Sequence, residues 1–293
     1  MTLPPATFPD SPLLDDGEDR AARIIAFTNQ AGGAGKSTSA VNIGAVAAEF
    51  GFKTLVVGLD AQCDASVALG YEPDDLPNQA NLNDVLIGSA KIEDTIVPAL
   101  AGPLGGTDTR SIENLYLALE SAELEDAEQV LTTRMQRELW LKSALDPIRR
   151  HFDLILLDCP GNLGLVVINA IVAADEVVAC VKPGWKELRA LTRMETKIEQ
   201  IESAFRANGA HAQLTHILVV DAPTTRNQGA VYAEGQDSVK NAYEGMVLPT
   251  VRRSPRIPQA YAAQKVLRFL DRSAEVTSDY YKVTRALGLN RRK

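Results

Sequence analysis

Residues 29–38 read NQAGGAGKST, a run whose residue types can cradle phosphate. Gly32, Gly33 and Gly35, with Ala34 among them, let the backbone turn its N–H groups toward one point. Lys36 supplies a point charge for β- and γ-phosphates, and the Ser37 hydroxyl is placed to ligate Mg²⁺, with Thr38 continuing the run. An apolar stretch, Ile24–Phe27, precedes the loop, and a helix-compatible stretch, Ala40–Ala48, follows it. Strand, glycine loop, Gly-Lys-Ser and helix is the context in which a phosphate-binding loop works, because the helix adds its N-terminal dipole. A chance Lys-Ser in a glycine-rich turn would not need those flanks. Phosphate chemistry of this kind also needs carboxylates at the ends of neighbouring strands. Asp158 closes the apolar run LILLD and is placed to hold Mg²⁺ through water. Asp60 closes TLVVGLD and can orient an attacking water or join the Mg²⁺ shell. Asp also starts turns, but the Gly-Asn-Leu-Gly turn after Asp158 fits the metal role better.

The elements that must position these groups are legible as short apolar runs alternating with helical patterns. Strands are expected at 23–28, 54–59, 115–119, 153–158, 176–181 and 216–221, rich in Val, Ile and Leu as doubly buried strands are. Helices are expected within 124–150, 186–207 and 227–245, and a surface loop at 101–111. This alternation predicts an α/β fold with a doubly wound, mainly parallel sheet flanked by helices. The expected organisation is a Pro-rich acidic arm at 1–21, disordered by composition, followed by one domain over 22–293.

The composition is that of a water-soluble chain: 45% hydrophobic and 23% charged residues, with no run of 18 apolar residues. The start of the chain lacks the pattern of a signal peptide, and three cysteines without metal spacing fit reduced thiols in the cytoplasm. The net charge of −8 is unevenly spread. From Ala61 to Val130, 14 acidic residues face only Lys91 and Arg110; from Val251 to the C-terminus, 11 basic residues face only Asp271, Glu275 and Asp279. An acidic chain with a basic end is compatible with a polyanion partner. Arg252, Arg256, Lys265, Arg268 and Arg272 are the candidate phosphate contacts for DNA.

Three segments carry a resemblance. NQAGGAGKST, LDAQCDAS (59–66) and FDLILLDCPGNLGLVVINAIVAADEVV (152–178) resemble the three nucleotide motifs of the ParA/MinD family of ATPases that position DNA and other cargo. VRRSPRIPQA (251–260) resembles the family's stretch near the adenine, and LDRSAEVTSDYYKVTRAL (270–287) its C-terminal helix. Gln62 and the Leu-Gly-Leu at 163–165 place the chain nearer ParA than MinD. The resemblance implies a P-loop ATPase of the ParA/MinD type using ATP and Mg²⁺. It further implies a homodimer closed by ATP, DNA bound without sequence preference, and slow hydrolysis stimulated by a centromere-binding or adaptor protein. Such a protein segregates plasmid or chromosomal DNA and is cytoplasmic and nucleoid-associated. Positioning of a protein cargo such as a carboxysome, or a low-turnover nucleotide-gated regulatory module, are the alternatives. By position, Gly32–Thr38 hold phosphates, Lys36 and Asp60 serve hydrolysis, Ser37 and Asp158 serve Mg²⁺, and Arg253 lies at the adenine.

The chain departs from the family in four places. Ala31 stands where the family has the lysine that crosses to the partner's ATP. Gly58 stands where it has the first carboxylate of an Asp-x-Asp pair, Pro160-Gly161 where it has Pro-Pro, and Lys182-Pro183-Gly184 where it has Gln-Pro-Glu. Lys182 and Lys186 are the candidate substitutes for the missing trans lysine. Val276, Tyr280, Val283 and Leu287 form a stripe that reads as the last core helix, so membrane binding is not expected.

Overall fold

The computed structural model describes residues 21–29, 32–76, 78–224 and 230–292. The side chains of residues 185–188 and 230–233 also lie outside the description, as does nearly all of the expected arm at 1–21. Seven strands build one sheet: β1 (Arg23–Thr28), β2 (Thr54–Gly58), β3 (Ile96–Ala101), β4 (Arg110–Ala118), β5 (Leu154–Asp158), β6 (Glu176–Val181) and β7 (Gln213–Val219). They lie in the order β3-β4-β2-β5-β1-β6-β7. Every neighbouring pair is parallel except β3 and β4.

The strand sequences explain this placement. Residues of β2 and β5 are buried throughout, and those of β1 from Ile24 onward. Their side chains alternate between two apolar layers: Ile24 and Ala26 face one, Ile25 and Phe27 the other. Leu154 and Leu156 against Ile155 and Leu157 repeat the pattern. Strands apolar on both faces belong in the middle of a parallel sheet covered on both sides.

Helices α1 (Lys36–Glu49) and α2 (Asp64–Ala68) follow β1 and β2; α3 (Leu82–Ile87) precedes β3. α4 (Ala127–Thr132), α5 (Trp140–Leu145), α6 (Leu165–Ala173), α7 (Trp185–Phe205) and α8 (Ala230–Ala242) come between or after later strands. α9 (Arg256–Ala262), α10 (Leu267–Leu270) and α11 (Glu275–Ala286) end the chain. Helices α4 to α8 share one layer, and α1 and α11 pack together on the other. The stripe Val276, Tyr280, Val283 and Leu287 is buried there, as the last core helix should be.

Two sequence expectations need correction. The helix expected within 124–150 is broken into α4, α5 and 3₁₀ turns. Gln136 adopts φ 54°, and Pro147 starts a 3₁₀ turn, so neither supports a continuous helix. The expected loop at 101–111 is shorter, because β3 runs to Ala101 and β4 starts at Arg110. β3 escaped the sequence reading because Pro98 interrupts it. Pro98 is exposed on the edge strand, at a shift of register, where its missing N–H costs least.

Candidate nucleotide-binding site

The glycine loop leaves the middle strand β1 and enters α1. Gly33 and Gly35 have φ of 68° and 70°, a region that other residues enter only with strain. A Cβ on Gly35 would also stand 3.2 Å from a methyl of Val220. Gly35 caps α1, yet no side chain accepts from the first-turn N–H groups and no acid lies in that turn. A helix start left open in this way offers its N–H groups and its dipole to an anion. Lys36 is 6% exposed, so its ammonium is largely stripped of water and acts strongly on what the loop holds. The loop lines a cavity of about 380 Å³. Asp60, Gln62 and Asp64 form part of its wall, and Lys182, Asp221, Ser254 and Pro258 another part.

Beneath the loop, Asp158 pairs in register with Phe27 on β1 and with Gly58 on β2. It is fully buried, and neither carboxylate oxygen accepts a hydrogen bond of ordinary length, the Ser37 hydroxyl being its nearby donor. Burial pushes its pKa up from 3.8 to about 7, although the nearby Ser37 hydroxyl and Lys36 ammonium pull the other way. An orphaned buried carboxylate beside a Gly-Lys-Ser turn fits a hydrated Mg²⁺. That ion keeps several waters and takes one or two carboxylates plus phosphate oxygens. Ser37 and Asp158 are the residues that would hold it. Among the described residues no cluster of three His, Cys, Asp or Glu side chains could hold a metal without phosphate. Asp60 keeps its carboxylate toward the cavity, its Oδ1 accepting from the Gln62 N–H at 3.1 Å.

Sequence reasoning missed Glu120, just past β4. It is 2% exposed; Oε2 accepts from the Ser66 N–H at 2.6 Å, and Oε1 has no partner. Burial, reinforced by Asp158, holds its pKa well above the usual carboxylate range. It also missed Tyr280 as a wall of the cavity, whose hydroxyl lies 3.4 Å from Ser39 Oγ. A buried tyrosine in an apolar stripe carries no local signal of that position.

The structure brings Gly32–Thr38, Asp60 and Lys182 to one cavity. Lys182 lies over its own loop: a Cβ on Gly33 would stand 3.8 Å from its Nζ. The Ala31 position and the Lys186 side chain lie outside the described residues. The segment 251–260 contributes Val251, Ser254, Ile257 and Pro258 to the wall, whereas Arg253 makes a two-pronged pair with Asp221 at 2.8 and 3.1 Å. Lys265 lines a small neighbouring pocket that reaches Ser37 and Thr38.

The other basic candidates are engaged within the chain. Arg252 pairs with Asp279 and Glu275, and Arg256 with Asp271. Arg268 and Arg272 both pair with Glu49 at the end of α1. Arg268 is correspondingly half-buried, donates to the Ala45 carbonyl and lies over the Phe269 ring. Cys63, Cys159 and Cys180 are buried free thiols, and no helix among the described residues is long and apolar enough to cross a membrane.

Comparison with known proteins agrees with this geometry. A family model described as an AAA domain matches residues 22–210. The sporulation initiation inhibitor protein Soj of Bacillus subtilis is 31% identical over 270 residues, spanning 91% of this chain and 99% of Soj. The chromosome-partitioning ATPase Soj of Treponema pallidum is 33% identical over 181 residues, 62% of this chain and 65% of that protein. Among solved structures, the ATP complex of a McdA variant from Cyanothece superposes with a TM-score of 0.77 at 20% identity, covering 93% of this chain and 99% of that one. With the loop, the strand-end carboxylate and the sheet order all in place, the chain belongs to the ParA/MinD-type P-loop ATPases, on the ParA branch.

Proposed function

We propose that this chain is a ParA-like ATPase that binds ATP with Mg²⁺, closes into a homodimer on ATP, and uses nonspecific DNA to position or segregate DNA cargo. The observation that carries this reading is the open, acid-free start of α1 standing over the unpartnered, buried Asp158. An anion cradle and a metal carboxylate are thereby joined in one place. The named activity of the Treponema relative, chromosome partitioning, supports the choice of cargo. A cytoplasmic protein on the nucleoid follows from that reading, with a centromere-binding or adaptor protein as the stimulating partner.

Chemically, Gly32–Thr38 hold the phosphates, Lys36 neutralises charge as the γ-phosphate leaves, and Asp60 orients the attacking water. Mg²⁺, held by Ser37 and Asp158, would supply positive charge that stabilises the triphosphate as it reacts. Lys182, whose Nζ lies near Gly33 of the same loop, would meet the triphosphate of its own chain, whereas the missing lysine of the family meets the partner's.

For DNA, exposure separates the candidates. Arg272 and Arg256 have side chains 67% and 47% exposed, so water screens their end of each pair and the pair is worth about 1 kcal/mol or less. Exchanging such a carboxylate for a DNA phosphate costs little. Arg268, at 14%, is committed to Glu49.

The test is ATP turnover and light scattering of the purified chain, with and without DNA. ATP, but not ADP, is expected to double the mass. Turnover is expected to be slow and to rise with DNA and a partner encoded nearby. ATP binding without any turnover would instead identify a nucleotide-gated module, and a stimulating adaptor from a shell-protein neighbourhood would identify protein cargo.

A further inference from the structure

Gly58 lies at the end of β2, in register with Asp158 across the β2–β5 pair. Paired residues of parallel strands send their side chains to the same face, roughly 4.8 Å apart. A side chain on residue 58 would therefore stand beside Asp158. That space is already taken. A Cβ on Gly58 would fall 2.0 Å from Glu120 Cδ and 2.0 Å from its Oε1. The carboxylate of Glu120, arriving from the end of β4, fills the volume that a side chain at 58 would claim.

The group is built in. The Ser66 backbone N–H donates to Oε2 at 2.6 Å, and the Glu120 N–H donates to the Ser66 hydroxyl at 3.2 Å. These two bonds fix Glu120 to the start of α2. Oε1 is left with no partner, buried, beside Asp158, whose two oxygens are also without partners. Three oxygens of these two carboxylates have no hydrogen bond of ordinary length, although the Ser37 hydroxyl and the Lys36 ammonium act on Asp158 from nearby, and the waters around a bound cation are donors.

We propose that Glu120 is a positioning residue of the nucleotide–metal site: it supplies over Gly58 the second strand-end carboxylate that residue 58 does not, and orients the water shell that Asp158 holds. This rests on the proposed reading of the cavity as an ATP·Mg²⁺ site. Outer-shell partners of this type are worth about 10–100-fold in metal affinity.

The experiment measures binding of a fluorescent ATP analogue to the full chain in Mg²⁺ and in EDTA, and thermal melting, for four variants. Glu120→Gln is expected to keep its melting temperature and its affinity in EDTA but to lose about 10-fold or more of the gain that Mg²⁺ gives. Glu120→Ala loses the same gain. Gly58→Asp alone is expected to melt lower, because its side chain meets Glu120. Gly58→Asp combined with Glu120→Ala is expected to recover both the Mg²⁺ gain and the melting temperature, since the carboxylate returns to the same place from the other strand. A purely structural role for Glu120 would move affinity equally in Mg²⁺ and EDTA, and that outcome overturns the proposal. So does an undiminished Mg²⁺ gain in Glu120→Gln, or a double variant that recovers nothing. If the unaltered chain itself shows no nucleotide affinity or no Mg²⁺ gain, the ATP·Mg²⁺ reading fails, and this inference with it.

Discussion

Asp158 is a carboxylate that the fold buries at its own expense. Its pKa, raised to about 7 by burial, means that the folded chain binds its proton more tightly than the unfolded chain does. The sign follows from linkage: this group favours the folded state at acid pH, and the advantage is lost as pH rises from its ordinary value of 3.8 through about 7. Without nucleotide, the melting temperature is therefore expected to fall between about pH 4 and about pH 7 by more in the unaltered chain than in Asp158→Asn. At neutral pH Asp158→Asn should be at least as stable as the parent, yet lose the Mg²⁺ dependence of nucleotide binding. A variant that melts lower at every pH would contradict this view. Lys182 gives a second test. If its ammonium meets the triphosphate of its own chain, Lys182→Ala should weaken ATP about 10-fold while leaving ADP nearly unchanged, a loss near 1.4 kcal/mol. Unchanged monomer affinity with lost ATP-dependent dimerisation would instead assign the cross-dimer role expected from sequence. The loop, Asp60 and Asp158 were legible because their chemistry sits in contiguous motifs at strand ends. Glu120 was not. Its carboxylate becomes a neighbour of Asp158 only when β4 lies beside β2, and a glutamate in LALESAEL looks like any acid in an acidic stretch.

At the scale of elements, the basic C-terminal stretch changes meaning once folded. As a sequence it is a run of cations suited to a polyanion. In the structure, α9 to α11 use several of these cations to fasten themselves to acids of the same chain. Glu49 at the end of α1 receives Arg268, Arg272 and the Tyr281 hydroxyl. Arg268 also meets the Ala45 carbonyl, where a cation complements the C-terminal end of the helix dipole. Arg268→Ala is accordingly expected to destabilise the chain by about 1–3 kcal/mol in denaturant unfolding, because it removes a largely buried guanidinium that bonds both Glu49 and the Ala45 carbonyl. Arg272→Ala should change stability by less than about 1 kcal/mol. In DNA titrations at several salt concentrations, it should lower affinity and reduce the salt slope by about one. The reverse ranking, with Arg268 affecting DNA and Arg272 affecting folding, would refute the assignment by exposure. The broken helix within 124–150 and the hidden strand β3 belong to this scale too. Apolar spacing survives a left-handed residue such as Gln136, and a proline such as Pro98 masks an edge strand.

At the scale of the whole molecule, the sheet order places β1 between β5 and β6, with β2 beyond β5. The ends of β1, β2 and β5 meet at Phe27, Gly58 and Asp158, so the loop after β1 opens above the carboxylate ending β5. Ligand crevices of open parallel sheets form at this end of the strands. The proposed ATP-dependent dimer requires the loop to hold the triphosphate. Sedimentation of Lys36→Ala should show a monomer in ATP as well as in ADP, because without the buried ammonium the triphosphate is not held. An ATP-dependent dimer in that variant would separate dimerisation from the loop. The sequence by itself determined the doubly wound sheet, the phosphate loop, the two strand-end aspartates and the ParA-like kinship. Each of these depends on local periodicity or on a contiguous motif, and the backbone enforces both over a few residues. Only the tertiary structure decided that Lys182 lies over its own loop, that Arg268 is bound into the fold, and that Glu120 takes the space left by Gly58. Those facts depend on which side chains from distant segments compete for one volume or one charge, and packing alone settles that competition.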